Sequence, residues 1–273
     1  MPAASDKVTT ATVRARKVNA GGGERIAVVT AYDVVFARLA DEAGIDIVLV
    51  GDSLGMVVQG ERNTLGVTLD DTIYHTRIVS RGVRRAHLVA DMPFMSYQAS
   101  VEDGMRAAGR LLKEGHAEAV KLEGGVEVAE LIRRLVGAGI PVMGHVGMTP
   151  QSVHQFGGFK LQGRTEPQHA KILADARAVA DAGAYALVVE AVPQALAAEI
   201  TRAVPAVTIG IGAGPDCDGQ VMVMHDLLGL EPAWKPRFVR RYAEMGKAVG
   251  EAFAAYAADV RAGRFPVPGE SYD

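Results

Sequence analysis

The sequence predicts an α/β protein of the (β/α)8 TIM-barrel type, on three observations. Short β-branched runs recur about eight times, each followed by a stretch with helical periodicity. Ionisable residues stand at the C-terminal ends of several runs, the end at which barrel enzymes assemble their sites. The length of 273 residues suits one barrel with its own core. Residues 1–273 are therefore expected to form a single barrel domain, with an N-terminal arm or helix and a C-terminal extension.

In chain order, strands are expected at Ile26–Thr30, Ile47–Val50, His87–Asp91 and Ala119–Glu123, then at Pro141–His145, Ala186–Glu190, Ala206–Gly210 and Gln220–Met224. Pro141 can open its strand because a missing N–H is tolerated at the first position. Between them, Tyr32–Ala43 reads as an amphipathic helix stopped by Gly44. Val101, Met105, Ala108 and Leu112 keep helical spacing up to Gly115, and Val128, Leu131, Ile132 and Leu135 form another stripe. The last helix is expected to start near Pro236 and to carry Phe238, Tyr242, Met245, Val249, Phe253 and Tyr256 on one face. Such stripes are packing faces. Asp33, Asp70 and Asp71, near helix starts, read as capping or dipole-complementing residues. Gly51–Leu69 and Gly147–Pro167 exceed ordinary connections, which marks them as lids, binding loops or subunit contacts. Beyond Arg264, two prolines and Gly269 predict a non-helical tail.

Composition excludes several function classes. A net charge of −3 with mixed signs offers no basic surface for nucleic acid. Cys217 is the single cysteine, so neither an intrachain disulfide nor a multi-cysteine zinc site is available, as suits a reducing compartment such as the cytoplasm. The first residues lack the apolar run of a signal peptide, and the uncharged stretch Leu135–Phe159 is broken by Gly, Pro and His. No membrane association is expected.

The strand ends carry the chemistry. Asp52 and Ser53 follow the second run, Asp91 ends the third, and His145 and Glu190 end the fifth and sixth. Lys121 and Glu123 lie two apart, so both point to the same side of a strand. Asp52, Asp91 and Glu123 offer oxygen ligands for a hard cation such as Mg²⁺, which would also relieve their mutual repulsion. Glu190 is the candidate base. Lys121 could orient an anion, and His145 could donate a hydrogen bond or a proton. Structural readings compete: a capping role for each Asp, a Glu190 pairing with Lys121 or a loop Arg, a core role for His145. The GIGAG run at Gly210–Gly214 could cradle phosphate or permit close backbone packing, and Asp218 before Gly219 suits a tight turn.

Longer motifs narrow the choice. TAYD at Thr30–Asp33, GDSLGMVVQG at Gly51–Gly60, ADMPFMSY at Ala90–Tyr97, KLEGG at Lys121–Gly125, GHVGMTPQS at Gly144–Ser152, GGFKLQGR at Gly157–Arg164 and IGIGAGPDCDGQ at Ile209–Gln220 together resemble the ketopantoate hydroxymethyltransferase family. Met148 and Phe159 depart from the residues common there. The resemblance implies a Mg²⁺-dependent transferase of pantothenate biosynthesis. It would move a hydroxymethyl group from 5,10-methylenetetrahydrofolate to 3-methyl-2-oxobutanoate, forming 2-dehydropantoate. It further implies Asp52 and Asp91 as metal ligands with Glu123 in the coordination shell, and Asp52, Ser53, Asp91, Lys121 and His145 as substrate-binding residues. Glu190 matches the general base, and the assembly implied is a homodecamer, a pentamer of dimers. Two alternatives stand beside it. A phosphoenolpyruvate mutase or isocitrate-lyase-like barrel is one, although its KKCGH-type cysteine motif is absent; a silent ligand-binding barrel is the other, against which the full set of candidate residues speaks.

Overall fold

The computed structural model describes residues 7–17, 24–231 and 236–272, so that residues 1–6 and Val18 of the expected N-terminal arm lie outside it. The chain divides into two compact units, residues 1–222 and 223–273. In the first, α1 (Thr10–Arg14) precedes β1 (Ile26–Thr30), α2 (Val34–Glu42), β2 (Ile47–Val50), α3 (Leu54–Val57), α4 (Leu69–Val79) and β3 (His87–Asp91). There follow α5 (Val101–Lys113), β4 (Ala119–Lys121), α6 (Ala129–Gly137), β5 (Val142–Gly147) and α7 (Val153–Phe156). Then come α8 (Glu166–Asp181), β6 (Ala186–Glu190), α9 (Gln194–Ala203), β7 (Val207–Ile211) and β8 (Gly219–Met222). The eight strands close into a barrel in sequence order, with β8 paired in parallel to β1.

Local sequence explains most boundaries. Asp33 caps α2, its carboxylate accepting from the N–H groups of Val35 and Phe36. Thr68 and Asp71 form a capping box on α4, and the Ser100 hydroxyl accepts from the Asp103 N–H to start α5. Alternate strand residues fill the barrel: Ile26 and Val28, Ile47 and Leu49, Val89, Ala119, Met143, Ala186 and Val188, Val207 and Ile209, and Val221 form one cluster. Val8 and Val13 of the N-terminal segment join it, so α1 plugs the floor of the barrel. Residues of opposite parity, among them Ala90, Val120, Val142, Leu187 and Val189, pack outward with α5, α6, α8 and α9.

Several expected boundaries move. β4 ends at Lys121 and not at Glu123, because the Glu123 N–H is taken by the Tyr97 hydroxyl at 3.0 Å. β5 starts after Pro141 and runs on to Gly147, since Val146 and Gly147 keep pairing with Val189 and Glu190 of β6. β7 is shifted by one residue to end at Ile211 opposite Glu190, and β8 covers Gly219–Met222. Gly147 adopts φ 95°, and a Cβ there would lie 2.3 Å from the Glu190 carbonyl oxygen, so this junction requires glycine.

The second unit holds α10 (Met224–Leu228) and α11 (Met245–Arg261). The last helix therefore begins at Met245, not near Pro236, and Phe238 and Tyr242 lie outside it. The Tyr242 N–H donates to the Leu227 carbonyl at 2.8 Å instead of to a helical partner. None of the α11 residues is buried; Val249, Phe253, Tyr256 and Val260 form an exposed apolar stripe. Beyond Arg264 the chain is non-helical, and the Phe265 ring meets Tyr256 edge-on at 5.5 Å.

Candidate active site

The barrel's twofold strand period places Asp91, Lys121, His145 and Glu190 on the inward side, directly above Val89, Ala119, Met143 and Val188. Glu123 keeps that parity just past the end of β4. Asp52 does not: it arrives through the turn after β2, where its N–H donates to the Asp91 carboxylate (Oδ2) at 2.9 Å. Asp52, Asp91, Lys121, Glu123 and His145 are all buried, whereas Glu190 is 18% exposed at the mouth.

These groups form one connected cluster. Lys121 Nζ lies 2.6 Å from Asp91 Oδ1 and 3.4 Å from His145 Nδ1. His145 stands between two carboxylates, Nδ1 being 3.4 Å from Glu123 Oε1 and Nε2 3.1 Å from Glu190 Oε2. Asp91 Oδ1, Glu123 Oε1 and His145 Nε2 nonetheless lack a well-directed hydrogen bond: their contacts are ionic in distance but poor in angle. Ser53 sits at the edge, with its hydroxyl 2.8 Å from that of Tyr32. Lys121 therefore pairs with Asp91, and Glu190 with His145, rather than the two with each other.

The electrostatics follow from burial and crowding. Burial, with the charges of Asp91 and Glu123, raises the Asp52 carboxyl above its ordinary range; Lys121 and the Gln151 amide oppose this only in part. Burial likewise raises Asp91, against the pull of the Lys121 ammonium. For Lys121, burial favours the neutral amine, but the charges of Asp91, Glu123 and Asp52 outweigh it and hold the ammonium firmly protonated. Burial and Lys121 push the His145 ring down, yet its close contacts with Glu123 and Glu190 push it up to about 9. Four carboxyl groups thus crowd around one ammonium and one imidazole ring.

The site also contains residues that the strand pattern did not point to. Gln151, buried in the short 3-10 turn Pro150–Ser152 after β5, donates from Nε2 to Asp52 Oδ2 and to the Met92 carbonyl, both at 3.0 Å. Its backbone N–H donates to Glu123 Oε2 at 3.0 Å. Tyr97 Oη is 2.8 Å from Gln151 Oε1 and 3.1 Å from the Glu123 carbonyl. The signal available in the sequence was weak: polar side chains in loops that follow strand ends. Among the described residues, no three His, Cys, Asp or Glu side chains stand ready-made as a metal cluster, because these carboxylates are turned toward Gln151 and Lys121.

Two other expectations resolve elsewhere. Asp218 is not a simple turn residue: it is buried below the barrel, 2.8 Å from Lys17 Nζ, and accepts from the Thr208 N–H at 2.7 Å. In the GIGAG run, a Cβ on Gly210 would crowd Gln220 and Cys217, which accords with close packing.

Comparison with known proteins adds an independent line. The profile of the ketopantoate hydroxymethyltransferase family matches residues 7–268. The chain is 57% identical over 254 residues to the 3-methyl-2-oxobutanoate hydroxymethyltransferase of Anaeromyxobacter sp. (strain K), covering 92% of this chain and 83% of that one. It is 52% identical over 267 residues to that of Carboxydothermus hydrogenoformans, covering 98% and 96%. Among solved structures, phosphonopyruvate hydrolase aligns with a TM-score of 0.62 at 13% identity over 97% of this chain and 91% of that one. 2,3-Dimethylmalate lyase, of the PEP mutase/isocitrate lyase superfamily, aligns with a TM-score of 0.59 at 17% identity over 96% and 91%. Likeness at that identity speaks for the barrel and not for the reaction.

Proposed function

The chain belongs to the ketopantoate hydroxymethyltransferase family, and from that premise we infer its reaction: transfer of a hydroxymethyl group from 5,10-methylenetetrahydrofolate to 3-methyl-2-oxobutanoate, giving 2-dehydropantoate for pantothenate biosynthesis. The observation that carries the reading is the buried acidic cluster at the strand ends, with the half-open Glu190 beside it.

The donor set fits a divalent cation such as Mg²⁺. Hard oxygens converge from the ends of three strands, and Glu123 Oε1 is buried without a hydrogen bond of its own. Asp52 and Asp91 would hold the ion, with Glu123 in its shell. A cation there supplies charge stabilisation to the oxoacid as its carbon 3 becomes acidic.

The remaining steps belong to the chain's own side chains. Glu190 removes the proton from carbon 3, its partial exposure giving it access to a substrate lying across the mouth. His145, held between Glu123 and Glu190, steadies the base through Nε2 and passes that N–H to the substrate once Glu190 turns to carbon 3. Lys121 and the Ser53 hydroxyl bind the oxoacid's anionic and polar atoms. A C–C bond then forms between carbon 3 and the folate methylene carbon, whose two C–N bonds break; water supplies the hydroxyl oxygen, and the proton from Glu190 with the second water proton leaves on the nitrogens of tetrahydrofolate.

A homodecamer and a cytoplasmic location complete the proposal. The exposed apolar stripe of α11 supports self-association, and among the described residues no helix is long and apolar enough to cross a membrane. Purified protein incubated with the oxoacid, methylenetetrahydrofolate and Mg²⁺ is expected to form 2-dehydropantoate in a folate- and metal-dependent manner. No product from folded, metal-supplied protein would overturn the assignment. Asp91→Ala should lose metal affinity; unchanged affinity contradicts its role as ligand.

A further inference from the structure

We propose that Gln151 is a positioning residue that holds the Asp52 and Glu123 carboxylates in register for the cation, an inference that rests on the metal-site reading above. The residue spans the site through two different groups. Its backbone N–H engages Glu123 Oε2, and its side-chain amide engages Asp52 Oδ2, at 3.0 Å each. It thereby ties together acids that come from β2 and β4, which neither strand could align alone.

The amide can adopt only one orientation. The second Nε2 proton goes to the Met92 carbonyl, a pure acceptor, at 3.0 Å. On the opposite side Oε1 faces the Tyr97 hydroxyl at 2.8 Å and the Gln98 amide nitrogen at 2.9 Å. Flipping the amide would set oxygen against both the Asp52 carboxylate and a carbonyl, so the donor on Asp52 is fixed by its surroundings. With Oδ2 of Asp52 and Oε2 of Glu123 each satisfied by Gln151, Glu123 Oε1 is left buried without a hydrogen bond, turned to the remaining groups of the cluster. Tyr97 supports the same arrangement twice, by touching the Gln151 amide and by accepting from the Glu123 N–H at 3.0 Å. The residue touches no reacting atom in this account. It acts through the carboxylates.

The test uses full-length protein and Mn²⁺ as the probe, with free ion counted by electron paramagnetic resonance. Gln151→Met keeps the length and packing of the side chain but removes both amide donors. It should raise the Mn²⁺ dissociation constant about 10–100-fold, the usual cost of losing an outer-shell partner. Tyr97→Phe, which spares both direct bonds from Gln151, should raise it by a smaller factor. A saturating excess of Mg²⁺ should restore much of the kcat lost in Gln151→Met, whereas damage to packing alone would not respond to the ion. Thermal midpoints in chelator, measured alongside, establish that each variant is folded. Unchanged Mn²⁺ affinity in folded Gln151→Met, with affinity lost in Asp91→Ala, overturns the role of Gln151. Unchanged affinity in both variants overturns the metal-site reading itself. Should Gln151→Met fail to fold, unchanged affinity in Tyr97→Phe overturns the proposal in its place.

Discussion

The two ends of the barrel are both rich in buried charge and treat it in opposite ways. At the floor, three acids meet cations: Asp218 meets Lys17 at 2.8 Å, Asp46 meets Arg16 at 2.9 Å and Arg85 at 3.1 Å, and Glu118 meets Lys7 at 2.8 Å, while the buried Asp41 accepts from the N–H groups of Arg84, Arg85 and Ala86. Backbone N–H groups fill in the rest, from Ala27 to Asp46, Leu88 to Glu118 and Thr208 to Asp218. The buried polar atoms left over there, His87 Nε2 and Tyr185 Oη, belong to an imidazole and a phenol, not to a carboxylate. At the mouth, four carboxyl groups share Lys121 and His145, and burial, with the charges of Asp91 and Glu123, raises the Asp52 carboxyl above its ordinary range. A buried charge with its partner in place costs the fold little, whereas a crowded, unsatisfied one is costly to the fold and useful to a ligand that can neutralise it. The floor holds its charges paired, and the mouth leaves its charges open to a ligand.

That division can be broken from either side. The largest effect is expected from Glu190→Gln, which should lower kcat by roughly a thousandfold and stop solvent-deuterium exchange at carbon 3 of the oxoacid while leaving the thermal midpoint near its starting value. Normal exchange would remove Glu190 from the role of base. At the opposite end, Asp218→Ala strands a buried Lys17 and should cost about 3 kcal/mol in denaturant unfolding, with kcat per folded molecule preserved. A loss of activity out of proportion to unfolding would show that the floor is coupled to the site. Removing two methyls of the plug with Val13→Ala should cost about 1–2 kcal/mol, again without a change in metal affinity.

The smallest effect concerns acid. Burial works to raise the Glu118 carboxyl, but its bonds from His87, Lys7 and the Leu88 N–H prevail and bring it down to about 2. A carboxylate depressed in the folded state contributes stability above its unfolded value of about 4.5 and loses that contribution as pH falls toward the folded value. Glu118→Gln should therefore flatten the stability profile between about pH 4.5 and 2 and leave the profile near neutrality parallel to that of the parent. If the two profiles stay parallel in acid as well, the floor pairing does not stabilise the barrel.

Much of the site was legible because its logic is that of a strand. Lys121 and Glu123 share a side by their spacing, and Asp91, His145 and Glu190 stand one inward step above Val89, Met143 and Val188. Asp52 sits off that alternation, and only the turn after β2 carries it to Asp91. Gln151 lies 99 residues from Asp52 and 28 from Glu123, so its bonds to both depend on how β2, β4 and β5 lie around the barrel. The same is true of Asp218, which local sequence makes a turn residue but which the fold sets against Lys17, 201 residues away. The final helix starts later than its apolar spacing predicts, because that spacing continues through Phe238 and Tyr242 although the Tyr242 N–H is spent on Leu227.

The alternation of eight strands with helices, the side of each strand that faces inward and the identity of the charges set there all follow from the order of the residues. These are local properties: a period of two or of 3.6 residues is written in neighbouring side chains. The pairing of those charges was decided by the tertiary structure alone, with Lys121 on Asp91, His145 between Glu123 and Glu190, and Gln151 across Asp52 and Glu123. Partner choice depends on barrel register and loop path to within an ångström, and Coulomb and hydrogen-bond energies change at that distance.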